Sequence, residues 1–288
     1  MGKLFTYKDF SDIQQKEIIR MYNNNMSTVT IGKKFNVGHK VIARVLEANG
    51  IKRTGVSRRK YFLNENYFDE IDTPNKAYFL GLLYADGCNF TPKQTVSISL
   101  EEGDRHILES FRNELNYDKE LEYIDYSNKH DFGYTYRNQY RLSIFSKHIS
   151  EELKKKGVEQ NKSLILEFPD FIPDNLLKFF ILGYFDGDGS FCPHYTKEGK
   201  FQPLITFTST KNFCISLQTY LRNKLNIPCG NIYDASCHNG ITKVLSFSGT
   251  KQVKTFLDWL YQDAEMFLYR KYQKYNDNFE DVVIPLSA

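Results

Sequence analysis

Two stretches of the chain decide its fold: DTPNKAYFLGLLYADG at Asp72–Gly87 and DNLLKFFILGYFDGDG at Asp174–Gly189. They are offset by 102 residues and are identical at six of their sixteen positions. Each stretch begins the same series of predicted elements, a helix followed by two strands, a helix, two strands and a helix. Two similar halves in one chain predict an α+β fold with pseudo-twofold symmetry.

The predicted elements follow from hydrophobic periodicity. In the first half we expect a strand near Thr95–Leu100, a helix near Arg105–Leu115, strands near Glu120–Tyr126 and Tyr134–Phe145, and a helix from about His148 to Lys156. In the second half we expect strands up to Phe207, a helix near Asn212–Leu225, strands near Asn231–Asp234 and Val244–Phe247, and a helix near Gln252–Tyr261.

Small residues in the repeated helices predict that the helices pack closely against each other. Gly81 and Ala85 are four residues apart in the first helix, as are Gly183 and Gly187 in the second. Residues at this spacing share one helix face. Two such faces allow the helices to meet almost backbone to backbone, while larger apolar residues anchor each helix in its own half.

Each repeated helix ends in an aspartate followed by a glycine, Asp86-Gly87 and Asp188-Gly189. The glycines suit the left-handed conformation that often closes a helix. A carboxylate is unfavourable at the negative end of a helix dipole, and a second carboxylate beside it raises one pKa unless a cation lies between them. Hard divalent ions, Mg²⁺ above all, fit this need. An ordinary turn is the alternative interpretation of each Asp-Gly pair.

The peptides Phe79–Gly87 and Ile181–Gly189 resemble the LAGLIDADG motif. The resemblance extends from about Asp72 to Asn276 and implies a single-chain homing endonuclease, in which two αββαββα subdomains form a DNA-binding saddle. It implies a monomer that hydrolyses both strands of double-stranded DNA, leaves short 3′ overhangs and serves intron homing or another mobile element. The implied cofactor is Mg²⁺ or another divalent cation such as Mn²⁺, bound by Asp86 and Asp188.

The two motifs differ at one acidic position. Asp186 of the second motif corresponds to Tyr84 of the first. A symmetric metal site therefore does not require a carboxylate at this position, and we interpret Asp186 as a structural or capping residue.

A lysine follows each motif aspartate at a similar distance. Lys162 lies 76 residues after Asp86, and Lys271 lies 83 residues after Asp188. The resemblance implies that such lysines lie near the scissile phosphate, where they help to order or polarise the attacking water. Lys162 and Lys271 are therefore expected to be catalytic, with a solvated surface lysine as the alternative in each case.

Strands with alternating polar residues are expected to read the DNA sequence, since Arg, Gln and Lys can address base edges in the major groove. Solvated strand residues are the alternative. The candidates are Arg137, Gln139, Arg141, Lys197, Lys200 and Gln202.

The first 60 residues form a basic segment ahead of the repeat, with 13 Lys+Arg against 4 Asp+Glu. Ser11 begins a predicted helix that ends near Asn23, and Ser27 or Thr28 caps a second helix that ends near Phe35. A third helix is expected over His39–Ala48. We expect Gly38 to supply a positive φ in the turn before it.

This pattern resembles the helix-turn-helix of resolvases and invertases, which implies binding in the major groove and contacts from the following basic segment in the minor groove. We expect Ala43 to face outward with the basic residues of the third helix. A three-helix module without a nucleic acid partner is the alternative. The expected DNA-binding residues are His39, Lys40, Arg44, Lys52, Arg53, Arg58 and Arg59.

These patterns predict four segments. Residues 1–54 form the helix-turn-helix domain, 55–71 a basic linker, 72–167 the first LAGLIDADG subdomain and 168–288 the second.

Charge and cysteine content limit the setting of the protein. The net charge is only +3 over 288 residues, so the basic segment precedes a mildly acidic remainder. This distribution indicates a polyanionic partner for the segment. Five scattered cysteines favour reduced thiols over disulfides or a zinc site. No membrane span or signal peptide is expected, so we expect a cytoplasmic protein of prokaryotic or phage type, or an organellar one.

Other functions of the same fold remain open from the sequence. One alternative is a DNA-binding regulator whose body has lost catalysis, although both motif aspartates are retained. An RNA maturase is a further alternative, which is disfavoured because the N-terminal helix-turn-helix is of a DNA-binding type. An intein is disfavoured because the chain begins with Met1 and lacks a His-Asn end.

Overall fold

The computed structural model of the chain describes residues 6–53, 60–127, 130–131, 134–235 and 242–279. These residues divide into two compact units. One unit comprises the chain up to residue 65 together with residues 110–120, and the other comprises the remainder. No helix among the described residues is long and apolar enough to cross a membrane.

The first unit contains the three helices expected in the basic segment: α1 (Asp12–Asn23), α2 (Thr28–Lys34) and α3 (His39–Ala48). Ser11 caps α1 by accepting a hydrogen bond from the Gln14 backbone, and Ser27 caps α2 in the same way. These caps satisfy backbone donors that a helix leaves unpaired at its start.

Two expectations for this unit are wrong. Gly38 has a φ of −67°, and the left-handed residue of the turn is Asn36, with a φ of 52°. Asparagine adopts this conformation more readily than most residues because its short side chain can hydrogen-bond locally. Ala43 is buried rather than outward-facing, because the inner face of α3 is wide enough to include it.

The second unit is built on the two repeated helices, α4 (Pro74–Asp86) and α7 (Asp174–Asp188). Thr73 caps α4 by accepting a hydrogen bond from the Lys76 backbone at 3.3 Å. Pro74 occupies the first turn, where its missing N–H costs no helical hydrogen bond.

Each repeated helix is followed by a four-stranded antiparallel sheet with the same strand order. The first half contains β1 (Cys88–Phe90), β2 (Thr95–Glu101), α5 (Arg105–Glu114), β3 (Glu122–Ile124), β4 (His130–Asp131), β5 (Tyr134–Thr135), β6 (Gln139–Phe145) and α6 (Lys147–Lys155). The second contains β7 (Gly189–Cys192), β8 (Leu204–Ser209), α8 (Lys211–Leu225), β9 (Asn231–Asp234), β10 (Lys243–Ser248), α9 (Thr250–Tyr261) and α10 (Tyr269–Phe279). The sheet orders are β1-β2-β6-β3 and β7-β8-β10-β9.

This duplicated αββαββα topology confirms the predicted α+β fold. Two details differ from the expectation. The single strand expected over Tyr134–Phe145 is interrupted at Asn138, whose side chain accepts a hydrogen bond from Tyr126 N and whose carbonyl accepts one from Glu102 N. The helix α10 after the second αββαββα series was not expected.

One face of each sheet is buried and the other is open. In β2, Val96, Ile98 and Leu100 are buried while the residues between them are partly exposed. In β8, Ile205 and Phe207 are buried in the same alternating way. The alternation places the apolar side chains in the core and leaves the opposite face available for binding.

Candidate active site

The repeated helices α4 and α7 contact each other through their glycines. A Cβ atom on Gly81 would lie 2.0 Å from the Phe180 carbonyl oxygen, and one on Gly183 would lie 2.0 Å from that of Tyr78. These two contacts are equivalent under the repeat. Only glycine allows this approach, so the predicted backbone-to-backbone packing is present.

The same packing brings the two motif aspartates together at the helix ends. A Cβ atom on Gly187 would lie 2.2 Å from the Ala85 Cβ and 3.0 Å from the Asp86 Oδ2. The Asp86 carboxylate therefore lies against the residue that immediately precedes Asp188.

The glycines after the aspartates are required for a different reason from the one expected. Gly87 and Gly189 have φ values of −73° and −81°, which are extended rather than left-handed. A Cβ on Gly87 would lie 2.6 Å from the Leu83 carbonyl oxygen, and one on Gly189 would lie 2.2 Å from the Phe185 Cδ2. Close packing against the last helical turn excludes a side chain at both positions.

The two carboxyl groups influence each other. Both aspartates are exposed at the surface, yet the surrounding protein removes part of their hydration. This burial raises the pKa of Asp188 to about 6, and the charge of Asp86 contributes to the rise. Burial also raises the pKa of Asp86, against the opposing charges of Lys162 and Lys271. A pair of like charges near two lysines is the electrostatic pattern of a site that binds a cation or a phosphate.

Each predicted lysine lies at the end of the helix that carries its aspartate. Lys162 donates hydrogen bonds to the carbonyl oxygens of Ala85 at 2.9 Å and Gly87 at 2.5 Å. Burial lowers its pKa, while the charges of the two aspartates act in the opposite direction. The Lys162 side chain thus binds carbonyl groups that the end of α4 leaves unpaired.

Lys271 makes similar contacts at the end of α7, and one of its two partners, Gly189, is the counterpart of Gly87. Its Nζ donates to the carbonyl oxygens of Phe185 at 2.5 Å and Gly189 at 2.6 Å. Burial lowers the pKa of Lys271 to about 8, while the negative charge of Asp186 acts in the opposite direction. A lysine ammonium has three donors, so each of the two lysines can make one further hydrogen bond.

Asp186 is fully buried and does not share the exposed position of the motif aspartates. Its Oδ2 accepts hydrogen bonds from the Tyr78 hydroxyl at 2.8 Å and from the Leu268 backbone at 2.9 Å. Burial raises its pKa to about 6. Asp186 thus links α4 to the residue that precedes α10.

An ion pair that the sequence did not suggest joins the first half to α10. The Arg270 Nε donates to the Oδ2 of Asp104 at 2.9 Å, and the Asp104 side chain is only 4% exposed. Beside it, the rings of His106 and Tyr269 stack with their centres 4.0 Å apart. The Arg270-Lys271 pair was visible in the sequence, but no pattern marked Asp104 or His106 as its partners.

A cavity of about 150 Å³ opens beside Asp188. A polar cavity of this size can hold several ordered water molecules. Its lining is rich in hydroxyl groups and comprises Tyr84, Ser163, Leu166, Tyr184, Asp188, Thr208, Ser209 and Thr242.

The residues expected to read DNA in the first half lie on or beside the open sheet face. Gln139 pairs with Glu101 and Arg141 with Ser99 across β6 and β2. The Arg141 Nε donates to the Ser99 hydroxyl at 3.0 Å. Arg137 precedes β6 and forms an ion pair with Glu101 at 2.7 Å.

The residues expected to read DNA in the second half are placed differently from the expectation. Lys197, Lys200 and Gln202 are exposed, but they lie in the connection between β7 and β8 rather than on a strand. Gly199 adopts a φ of 79° there and forms a turn, which strand periodicity does not reveal.

The open face of the second sheet carries small polar residues that the sequence interpretation missed. One row across its four strands has three hydroxyl side chains and one amide. The row consists of Ser190, Thr206, Ser246 and Asn231.

In the first unit, His39, Lys40 and Arg44 are exposed on α3, and Lys52 and Arg53 are exposed after it. Arg53 pairs with Glu47 at 3.1 Å. Two further expected DNA-binding residues, Arg58 and Arg59, lie outside the described residues.

Asp86 and Asp188 are the candidate ligands for a metal ion. No group of three or more His, Cys, Asp or Glu side chains in the described parts of the chain is arranged to hold a metal ion. Two carboxylates with water and substrate oxygens are a typical Mg²⁺ environment, so the residues present fit a hard divalent ion.

Comparison with known proteins yields similar structures only, since no family model and no curated protein matches the chain. The I-LtrWI LAGLIDADG homing endonuclease bound to target DNA is 13% identical, covers 74% of this chain and 89% of its own, and has a TM-score of 0.46. The meganuclease I-SmaMI bound to uncleaveable DNA is 15% identical, with coverages of 73% and 89% and a TM-score of 0.46. The LAGLIDADG homing endonuclease I-GzeII in complex with its DNA target is 14% identical, with coverages of 72% and 89% and a TM-score of 0.48.

Because these TM-scores are low, the fold rests on the chain's own repeat, sheet order and helix pairing. Two αββαββα subdomains meet through glycine-bearing helices that end side by side in aspartates. This is the architecture of a single-chain LAGLIDADG protein.

Proposed function

We propose that the chain is a site-specific endonuclease of double-stranded DNA, of the LAGLIDADG homing type. The observation that carries this proposal is the arrangement at the ends of α4 and α7. There, two adjacent carboxylates are each accompanied by a lysine that binds the carbonyl groups of the same helix end. The arrangement occurs twice, and two strands require two hydrolytic events.

We propose that Asp86 and Asp188 hold the divalent cation, Mg²⁺ or Mn²⁺. The raised pKa of Asp188, to about 6, reflects burial and the neighbouring charge of Asp86, and a cation between the two groups relieves that repulsion. When bound, the ion activates water and stabilises negative charge on the phosphate and the leaving oxygen.

The lysines are proposed to act on the phosphate. Each is held by two carbonyl groups and has one donor left for an oxygen of the scissile phosphate or the attacking water. A fixed positive charge near a developing oxyanion stabilises the transition state without reorganisation. The hydroxyl-lined cavity beside Asp188 provides room for ordered water close to one of the two centres.

DNA recognition is assigned to the open sheet faces and to the basic segment. Gln139 and Arg141 offer amide and guanidinium groups that can address base edges, and the second sheet offers a row of hydroxyl groups. Lys40 and Arg44 on α3 add contacts outside the cleavage site. Because the two modules share one chain, each raises the effective concentration of the other at the DNA.

The test is to incubate the purified protein with a supercoiled plasmid library and Mg²⁺ and to sequence the cut ends. The proposal predicts cleavage at one sequence, with 3′ overhangs, that chelation of the metal abolishes. Specific DNA binding without cleavage would favour a regulator that has lost catalysis. Preferential binding of structured RNA without DNA cleavage would favour a maturase.

A further inference from the structure

The two motifs differ at one buried position, yet both residues there contact the segment that carries the lysine of their own half. Tyr84 and Asp186 are equivalent under the repeat. One is a neutral aromatic residue and the other a carboxylic acid, so the similarity lies in what they contact rather than in their chemistry.

In the first half, the contact reaches the end of α6. The Tyr84 hydroxyl donates to the Lys156 carbonyl oxygen. A Cβ on the next residue, Gly157, would lie 2.7 Å from the same hydroxyl, and Gly157 has a φ of 88°. The chain therefore turns against Tyr84 a few residues before Lys162.

A second buried residue supports that turn. The Asn89 Nδ2 donates to the carbonyl oxygens of Val158 at 2.8 Å and Ser150 at 2.9 Å. The approach to Lys162 is thus fixed by two side chains, of which Tyr84 is one.

In the second half, the contact reaches the start of α10. Asp186 accepts from the Leu268 backbone at 2.9 Å. The Leu268 carbonyl in turn accepts from the backbone of Lys271 at 3.0 Å and of Tyr272 at 3.1 Å. Asp186 is therefore hydrogen-bonded to Leu268, the residue whose carbonyl group begins the first turn of α10.

Tyr84 and Asp186 each have a neighbour on the other helix of the α4–α7 pair that suits its chemistry. Tyr78 and Phe180 are equivalent under the repeat. The Tyr78 hydroxyl donates a hydrogen bond to Asp186 at 2.8 Å. Phe180 has no hydroxyl and packs edge-to-face on Tyr84, with the ring centres 4.9 Å apart. In the two halves, the residue at the motif position and its neighbour on the other helix therefore make different contacts, a hydrogen bond in one half and a ring contact in the other.

Simple core filling does not explain Asp186. Its Oδ1 makes no hydrogen bond within the described parts of the chain, and burying a carboxylate with an unsatisfied oxygen is costly. An apolar residue of similar size would avoid that cost but could not accept the hydrogen bond from Leu268.

We propose that Tyr84 and Asp186 are positioning residues, each of which sets the lysine of its own active site through the backbone that leads to it. For its catalytic consequence this inference rests on the proposed endonuclease function. It implies that the two strand cleavages can be slowed separately by changes at one equivalent position.

Strand-specific cleavage tests this assignment, using a duplex target with a different label on each strand. Tyr84→Phe should slow the strand that Lys162→Met slows, by about three- to thirtyfold, since one buried hydrogen bond is removed. Asp186→Leu should slow the strand that Lys271→Met slows, by about ten- to a hundredfold. In each case the other strand should be slowed less than the strand named, and target affinity should be unchanged.

Conservative variants separate positioning from general packing. Asp186→Asn keeps an oxygen that can accept from Leu268 and should restore most of the rate that Asp186→Leu loses. Tyr78→Phe, a milder change that keeps the ring, should slow the same strand as Asp186→Leu. Tyr275→Phe is the matched control, because it removes a hydroxyl on α10 that bonds to Asp258 instead, and it should leave both rates unchanged.

A readout without DNA keeps the inference separate from the proposed function. In protein labelled with ¹³C at lysine Cε, Asp186→Leu should shift the Lys271 resonance more than Asp186→Asn, which loses the same charge, and Tyr78→Phe should also shift it. None of these variants should shift the Lys162 resonance, and Tyr84→Phe should do the reverse. If these shifts occur in a protein that cuts no DNA, the proposed endonuclease function is overturned and the positioning role stands. Unmoved lysine resonances, or equal slowing of both strands by every variant, would overturn the positioning role.

Discussion

At the scale of single residues, the catalytic role proposed for the two lysines can be tested directly. Lys162→Met or Lys271→Met should slow the chemical step by about ten- to a thousandfold, because a fixed positive charge near the oxyanion is removed. Target affinity should change little. Nicked DNA should accumulate when one site is slowed more than the other, which gel analysis of a supercoiled target measures. Wild-type rates on both strands would show that the lysines bind the helix ends without a catalytic role.

The pKa of Lys271 gives a separate prediction about stability. Burial lowers this pKa from its ordinary value of 10.5 to about 8. Between these values the unfolded chain still carries a proton that the folded chain has released, so stability rises with pH. The free energy of unfolding of the wild type, relative to Lys271→Met, should rise by up to about 3 kcal/mol across this interval.

Urea unfolding of both proteins at pH 7.5, 9 and 10.5 would measure this difference. A constant or falling difference would mean that Lys271 is not held in a partly dehydrated position. Lys162→Met provides a comparison, since burial lowers the pKa of Lys162 in the same direction.

At the scale of elements, the candidate site depends on the contact between α4 and α7. Gly81→Ala or Gly183→Ala would place a Cβ 2.0 Å from a carbonyl oxygen of the other helix. The helices must then move apart, and we expect a loss of about 2 to 5 kcal/mol in the free energy of unfolding. Gly103→Ala is the control, because a Cβ there meets no described atom within 4 Å. Equal stability of all three variants would contradict the close helix contact.

The sequence predicted the elements whose causes are local. Ser11 and Ser27 cap their helices, and Gly81 and Gly183 lie at the helix contact, because capping and helical spacing depend on residues a few positions apart. The interruption at Asn138 was missed because its partners, Tyr126 and Glu102, are distant in sequence.

Parts of the candidate site depend on tertiary contacts and could not be predicted in the same way. Gly87 and Gly189 were correctly singled out, but for backbone conformation instead of packing against the preceding helical turn. The Asp104–Arg270 ion pair joins residues that no local pattern connects.

At the scale of the whole molecule, the basic segment should contribute affinity and not chemistry. Lys40 and Arg44 are exposed on α3. Lys40→Ala/Arg44→Ala should weaken target binding and reduce the slope of log affinity against log salt by about 2, one unit for each phosphate that the protein no longer neutralises. Cleavage at saturating protein should be unaffected. An unchanged affinity and slope, measured by fluorescence anisotropy at several salt concentrations, would exclude these two residues from the DNA interface.

The most direct test of the central claim is the cleavage rate of aspartate variants on the identified target, measured together with their affinity for it. Asp86→Asn and Asp188→Asn should each abolish double-strand cleavage in Mg²⁺ while binding the target nearly as tightly as the wild type. Asp72→Asn, which removes an exposed carboxylate at another repeated position, should cut at the wild-type rate. If Asp86→Asn or Asp188→Asn still linearises the target at a rate close to that of the wild type, the paired aspartates are not the catalytic centre.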